Sequence, residues 1–312
     1  MTQKKERDYR TTIGGQALIE GILMLGPQKA AIVVNTPQGH NVKEIQVTRL
    51  KDKYKILGLP FIRGVFSMYD SLRLGIGALT YSTDIIEEEE EKGRLELWLE
   101  KKFTKEKVEK ALMGFALFLG VLLPIGLFIL LPSILAGFLV NTVGTGFVRN
   151  LLEGLIRIII FFIYLVAVSR IDEMKRVFAY HGAEHKAVYC YEAGDELTVD
   201  NVRKYPRQHP RCGTSFLFVV MIVSILVFSF VRLSNPILRM LLRIAFLPIV
   251  VGLSYEINRV VGRYDNVVTK VLRAPGMWLQ NLTTREPDDS MIGVAIDALT
   301  RVIPENEGLD RW

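Results

Sequence analysis

The chain has 312 residues, half of them hydrophobic, and carries 39 Lys and Arg against 33 Asp and Glu, a net charge of +6. With a mean hydropathy of +0.26, this composition argues for a membrane protein over a soluble one, and two cysteines, Cys190 and Cys212, are too few for a disulfide framework and point to a reducing compartment. The positive charge sits mostly beside and between apolar blocks, as in proteins held against an anionic leaflet, so the lipid bilayer is an expected partner and nucleic acid is not.

Met1 to Arg10 are polar and charged with no apolar run behind them; no cleavable signal peptide is expected, and the N-terminus is placed in the cytoplasm. Short strands are predicted at Gln16 to Met24, Ala30 to Val34 and Val42 to Val47, separated by Gly26-Pro27 and Thr36-Pro-Gln-Gly39, which is turn chemistry. A helix is predicted from about Pro60, with Ile62, Val65, Phe66, Tyr69, Leu72, Ile76 and Leu79 recurring at steps of three and four. That stripe fits two placements, packed on its own domain or lying in a membrane interface. The acidic run Glu87 to Glu91 and the Lys-rich stretch to Lys110 read as a solvated connector or exposed helix.

Ala111 to Val140 is thirty residues without a charge, broken by Pro124 and Pro132. One kinked span followed by an outer amphiphilic segment fits that length, because two crossings need more residues. Further spans are expected at about Leu151 to Ser169, Ser215 to Val231 and Ile237 to Leu253. Arg157 and Arg243 fall inside these windows but near the ends assigned to the outer face, where they can reach the headgroups. Arg170 to Arg211 holds eight Lys or Arg, against one in Asn141 to Asn150 and two in Arg232 to Arg239, which puts the basic loop inside.

The predicted fold class is therefore an α-helical integral membrane protein with about four transmembrane helices. Segments 111–169 and 215–254 supply the helices. The N-terminal region 1–110, the loop 170–214 and the tail 255–312 share the cytoplasmic face, where they can form one small α+β domain. The tail offers an interfacial stretch around Val267 to Leu282. A helix follows from about Pro287, with Asp288 and Asp289 in its first turn and Ile292, Ala295, Leu299 and Val302 on one packed face.

Of four histidines, three lie between positions 181 and 209, with Cys212 close behind. On a helix continuing from the second span, His181 and His185 project from one face and can share a metal ion. With Glu184 they make the H-x-x-E-H pattern, in which a carboxylate accepts a proton from water that a metal has acidified. His209-Pro-Arg-Cys212 can add a third and fourth ligand. Four protein ligands would close the site as a structural zinc does, whereas three leave a position for chemistry. Asp172, Glu173, Glu192, Asp195 and Glu256 are further acidic residues expected nearby, as ligands or as partners to an imidazole.

Gly14-Gly-Gln-Ala-Leu-Ile-Glu20-Gly21, Tyr180-His-Gly-Ala-Glu-His-Lys186, His209-Pro-Arg-Cys-Gly-Thr-Ser215 and Leu279-Gln-Asn-Leu-Thr-Thr-Arg-Glu-Pro-Asp-Asp-Ser290 resemble the YqhQ family of bacterial membrane proteins. Its members are of unknown function and have been labelled metal-dependent enzymes. The resemblance implies a bacterial inner-membrane location. One departure is Gly293, where an acidic residue is common in the family. Two functions are consistent with the residues. One is a zinc-dependent hydrolase acting at the cytoplasmic membrane surface on a peptide or lipid-linked substrate, with Glu184 as general base. The other is a non-enzymatic membrane assembly or accessory factor, for example of a protein translocation complex, whose metal, if any, staples the loop.

Overall fold

The computed structural model describes residues 10–87, 105–143, 147–230, 235–264, 266–306 and 308–311. The residues before Arg10 and the acidic and Lys-rich residues 88–104 lie outside them. The described chain is mostly helical, with one antiparallel sheet near its N-terminus, and it divides into two compact units.

The first unit comprises the described residues within Met1–Ile86, Val166–Val223 and Leu247–Trp312. Its sheet runs in sequence order through β1 (Gly14–Leu18), β2 (Gly21–Leu25), β3 (Lys29–Thr36) and β4 (Gly39–Gln46). The single strand expected over Gln16 to Met24 is in fact a hairpin, with Leu18 opposite Gly21. Its turn hides from composition because Glu20, not a glycine, takes the positive φ of 50°. Glu20 is held there from outside: its side chain pairs with Arg176 and accepts from the Tyr180 hydroxyl at 3.2 Å, and its carbonyl accepts from Asn35 N–H at 2.7 Å.

β2 and β3 are apolar on both faces because both faces are covered. On one side Ile22, Met24, Ala31 and Val33 pack with two helices, α5 (Asp172–Glu192) and α9 (Asp289–Val302). On the other, Leu18, Leu23, Ala30, Ile32 and Val34 pack with α1 (Ile62–Glu87). The tail helix follows the expected pattern: Asp288 caps it by accepting from Met291 N–H at 2.9 Å, and Ile292, Ala295, Leu299 and Val302 are buried.

Helix α1 packs on the sheet through Leu74, Ala78, Tyr81, Ile85 and Ile86. The predicted stripe lies elsewhere: Leu72 is 55 % exposed, and Ile62, Tyr69, Ile76 and Leu79 are also open. Packing takes the small-residue side, where a Cβ on Gly75 would collide with the Gln16 side chain. Helix α8 (Val267–Thr283) repeats the pattern, burying Gly276, Leu279, Gln280 and Thr283 while Val267, Val268, Val271, Leu272 and Trp278 stay exposed. Helical periodicity reports an apolar face, not what covers it.

The second unit comprises the described residues within Glu87–Leu165 and Ser224–Phe246. The uncharged block is one continuous helical run, α2 (Lys105–Ile125), a π-turn (Gly126–Leu130) and α3 (Leu131–Val143). Pro132 has no N–H to offer the Phe128 carbonyl one turn back, and Arg157 Nε supplies the donor at 2.8 Å.

Among the described residues, three helices are long and apolar enough to cross a membrane: Gly114–Leu139, Phe147–Val168 and Leu238–Arg263. They belong to α2–α3, α4 (Phe147–Val168) and α7 (Pro236–Arg263). The span expected at Ser215 to Val231 is the shorter apolar helix α6 (Gly213–Ser229), 17 residues, or roughly 25 Å at 1.5 Å per residue. The histidine helix does not continue from α4. The chain breaks at 169–171, and Ile171, in extended conformation, starts α5 with Asp172 and Glu173 in its first turn.

Candidate metal centre

Helix α5 carries His181, Glu184 and His185, and Cys212 stands immediately before the first residue of α6. One side-chain atom from each of His181, His185 and Cys212 lies within 4.8 Å of the others, and His181 Nε2 is 3.1 Å from Cys212 Sγ. Ligand atoms about 2.0–2.3 Å from a tetrahedral zinc are separated by roughly 3.3–3.8 Å, so small movements would close the group on an ion.

Both imidazoles are oriented from behind. His181 Nδ1 lies 2.8 Å from the Thr283 carbonyl and His185 Nδ1 2.6 Å from the Arg207 carbonyl. A carbonyl only accepts, so each Nδ1 carries its proton and each Nε2 lone pair is turned toward Cys212. The close approach of 283–285 to α5 depends on Gly182, where a Cβ would collide with the Arg285 carbonyl oxygen; Arg285 N–H donates to Phe178 at 2.8 Å.

Glu184 is buried beside this group. Its Oε1 accepts from Gly15 N–H at 2.8 Å, and its Oε2 is 3.5 Å from His185 Nε2. Gly15 is required for that contact, since a Cβ would stand 2.8 Å from Glu184 Cγ. These residues border a cavity of about 500 Å³ between β1, α1, α5 and the start of α6. Gly14, Ser71, Leu74, Val177 and Leu217 complete much of its wall.

Burial would lower the basicity of His181, but Cys212, Glu184 and the Thr283 carbonyl outweigh it and raise its pKa to about 9. Burial would likewise raise the Cys212 thiol, and the two imidazoles reverse that, holding it well below the ordinary thiol range. Cys190 contrasts with it: burial, then Asp195, push that thiol up to about 11, the state of an inert packed residue.

His209 lies next to the group rather than in it. Its ring is 5.6 Å from that of His185 and edge-on to Tyr189 at 4.5 Å, while its Nε2 faces Glu192 at 3.6 Å. Burial, set against Glu192, lowers its pKa. Glu192 also pairs with Arg211 and accepts from Thr11 N–H at 2.7 Å, so it braces the turn from within. Of the other acidic residues, Asp195 accepts from Tyr205, Glu256 pairs with Arg63, and Asp172 pairs with Lys175 on the surface.

Two supporting residues were not singled out from sequence. Gln280, fully buried, accepts from His209 N–H at 2.7 Å and donates to the His209 carbonyl at 2.8 Å. Thr283 contributes only its carbonyl. The one signal the sequence holds for the first is a Gln next to Leu279 on an amphipathic helix; a backbone contact leaves none.

The family described as "Protein of unknown function (DUF1385)" matches residues 59–305. The chain is also 30% identical over 305 residues to "Uncharacterized protein YqhQ" of Bacillus subtilis (strain 168), covering 93% of this chain and 92% of the relative. No solved structure matches. The family match and the similarity to YqhQ over almost the whole chain establish that the chain belongs to the DUF1385 family.

Proposed function

We propose that this protein is a membrane-embedded, zinc-dependent hydrolase working at the cytoplasmic face of a bacterial inner membrane. The observation that carries the reading is three converging ligands, His181, His185 and Cys212, bordering a cavity with the Glu184 carboxylate held alongside. Three protein ligands leave a coordination position for chemistry, and a His₂Cys set suits zinc. A zinc ion there would acidify water and polarise the bond to be cut. Glu184 is the general base: it takes the proton that water gives up on attack and returns it to the leaving group. His209 steadies the turn that presents Cys212.

The membrane assignment rests on the three long apolar helices and on the open faces of α1 and α8. Leaving a large aliphatic side chain in water forgoes roughly 1.5–3 kcal/mol, and each helix exposes several. Both helices then lie in the interface. With α6 as a fourth, short crossing, both termini and the basic loop are cytoplasmic. A site close to the bilayer suits a peptide or lipid-linked substrate.

The test is metal analysis of the purified protein. Wild type is expected to hold about one zinc per chain and His185→Ala at least tenfold less, while Glu184→Gln stays folded and zinc-bound but fails to complement a deletion strain. Wild type without stoichiometric metal would sink the reading. A Glu184→Gln protein that complements fully points instead to an accessory factor with a structural metal. A second reading has its own support: the 3.1 Å His181–Cys212 contact is that of a nucleophile and its base. Activity that survives chelation but not Cys212→Ser would select it.

A further inference from the structure

Among its described residues the second unit groups four arginines, two buried (Arg239 and Arg243) and two half-buried (Arg149 and Arg157), with one buried carboxylate. Glu153 is nearly fully buried and receives Arg243 on both oxygens, one at 3.0 Å, with Arg157 3.5 Å from the oxygen Arg243 already holds. Arg239 is 4 % exposed and donates to Ser133 Oγ at 3.2 Å; it also feels the charges of Arg149, Arg243 and Glu153. Among the described residues, four guanidiniums face one carboxylate, an excess of three positive charges. Among the described residues Glu153 is the carboxylate that pairs with them.

The arrangement is not that of surface anchors. Arg239 and Arg243 are covered by the protein itself, too deeply to reach headgroups along the outside of a helix. Arg157 is explained by the Phe128 carbonyl, which it satisfies. Arg149 and Arg243 are not fully explained: the Nε of each is enclosed without a hydrogen-bond partner. A buried cation without a counter-charge is costly, more so among apolar helices, unless something negative joins it.

We infer that this cluster binds a phosphate group. Guanidinium forks match phosphate oxygens in pairs, and one tetrahedral anion with several acceptor oxygens can serve more than one arginine at once. Glu153 fixes Arg243 and leaves Arg149 and Arg239 for the ligand. The phosphate is carried either by an anionic lipid headgroup or by a small soluble molecule.

The experiment uses full-length protein stripped of lipid in a neutral detergent. Inorganic phosphate, phosphatidylglycerol and uncharged diacylglycerol are titrated separately, with thermal unfolding and native mass spectrometry as readouts. Wild type is expected to bind phosphatidylglycerol, or phosphate, and not diacylglycerol. Binding of the lipid alone identifies a headgroup; equal response to inorganic phosphate identifies a soluble source. Arg149→Gln with Arg239→Gln should weaken binding at least tenfold, the worth of one charge-assisted hydrogen bond. Glu153→Gln, which removes the competing carboxylate, should tighten it. A structural role alone would not move two variants in opposite directions. Failure of wild type to bind either phosphate ligand overturns the inference, as does undiminished binding by the double variant. Should the double variant not survive purification, unchanged or weaker binding by Glu153→Gln overturns it.

Discussion

The two units balance their buried charges differently. In the first, around His181, His185 and Cys212, each ring nitrogen turned away from the cluster has a carbonyl behind it, and the turn bearing Cys212 is gripped by Gln280, Glu192 and Arg211. In the second, the described arginines outnumber the carboxylate they pair with; buried side-chain atoms without a hydrogen-bond partner occur in both units, so the difference lies in charge balance. A partnered network holds a geometry; an unbalanced one waits for a charge. The contrast predicts that removing a polar or steric support should be expensive in the first unit and much cheaper in the second.

The largest effect is expected at Gly182. Alanine there puts a Cβ into the Arg285 carbonyl, and neither the helix nor the 283–285 segment can yield without lifting Thr283 from His181. The expected cost is about 1–3 kcal/mol in stability together with a roughly 10–100-fold loss of zinc affinity. Denaturant melts and a competition titration with a chelator measure the two. Lost stability with unchanged affinity would show that Thr283 does not orient the ligand.

That His181, His185 and Cys212 come together was legible because H-x-x-E-H fixes side-chain directions once the segment is helical, and because His209 and Cys212 lie just before an apolar helix. The motif could not reveal that His209 would be taken by Glu192 and Tyr189 while Cys212 turns inward. That choice depends on the Gln280 clamp from a helix some seventy residues away. In the fold, the strand-rich N-terminus and the tail helix with Asp288 at its start were readable from turn chemistry and period. The hairpin at Glu20 was not, because its support comes from Arg176 and Tyr180, remote in sequence. The apolar stripe of α1 was seen correctly, but the side that packs on the sheet is the one with Gly75 and Ala78.

A smaller effect is expected at Gln280. Leucine keeps the bulk but leaves the His209 N–H unpaired in a buried setting, while the His209 carbonyl keeps only the 3.4 Å donation from Cys212 N–H, about 1–3 kcal/mol. Because the loosened turn ends in Cys212, zinc affinity should fall with stability. Gln280→Glu, which can still accept from the N–H, should recover part of both. Equal losses in the two variants would mean that bulk at this position matters and the clamp does not.

The smallest effect is expected at Arg157, in the second unit. Leucine deletes a donor to the Phe128 carbonyl and to Ser224 Oγ, and in the first unit such a loss would be costly. Here it also removes one of the excess positive charges, and the carboxylate it approaches is already held on both oxygens by Arg243. The two terms oppose one another and each is on the order of 1–3 kcal/mol, so the variant should unfold within about 1 kcal/mol of wild type. A loss as large as that at Gln280 would mean the arginines of the second unit are as fully compensated as the histidines of the first, and the proposed anion would have no vacancy of charge to fill.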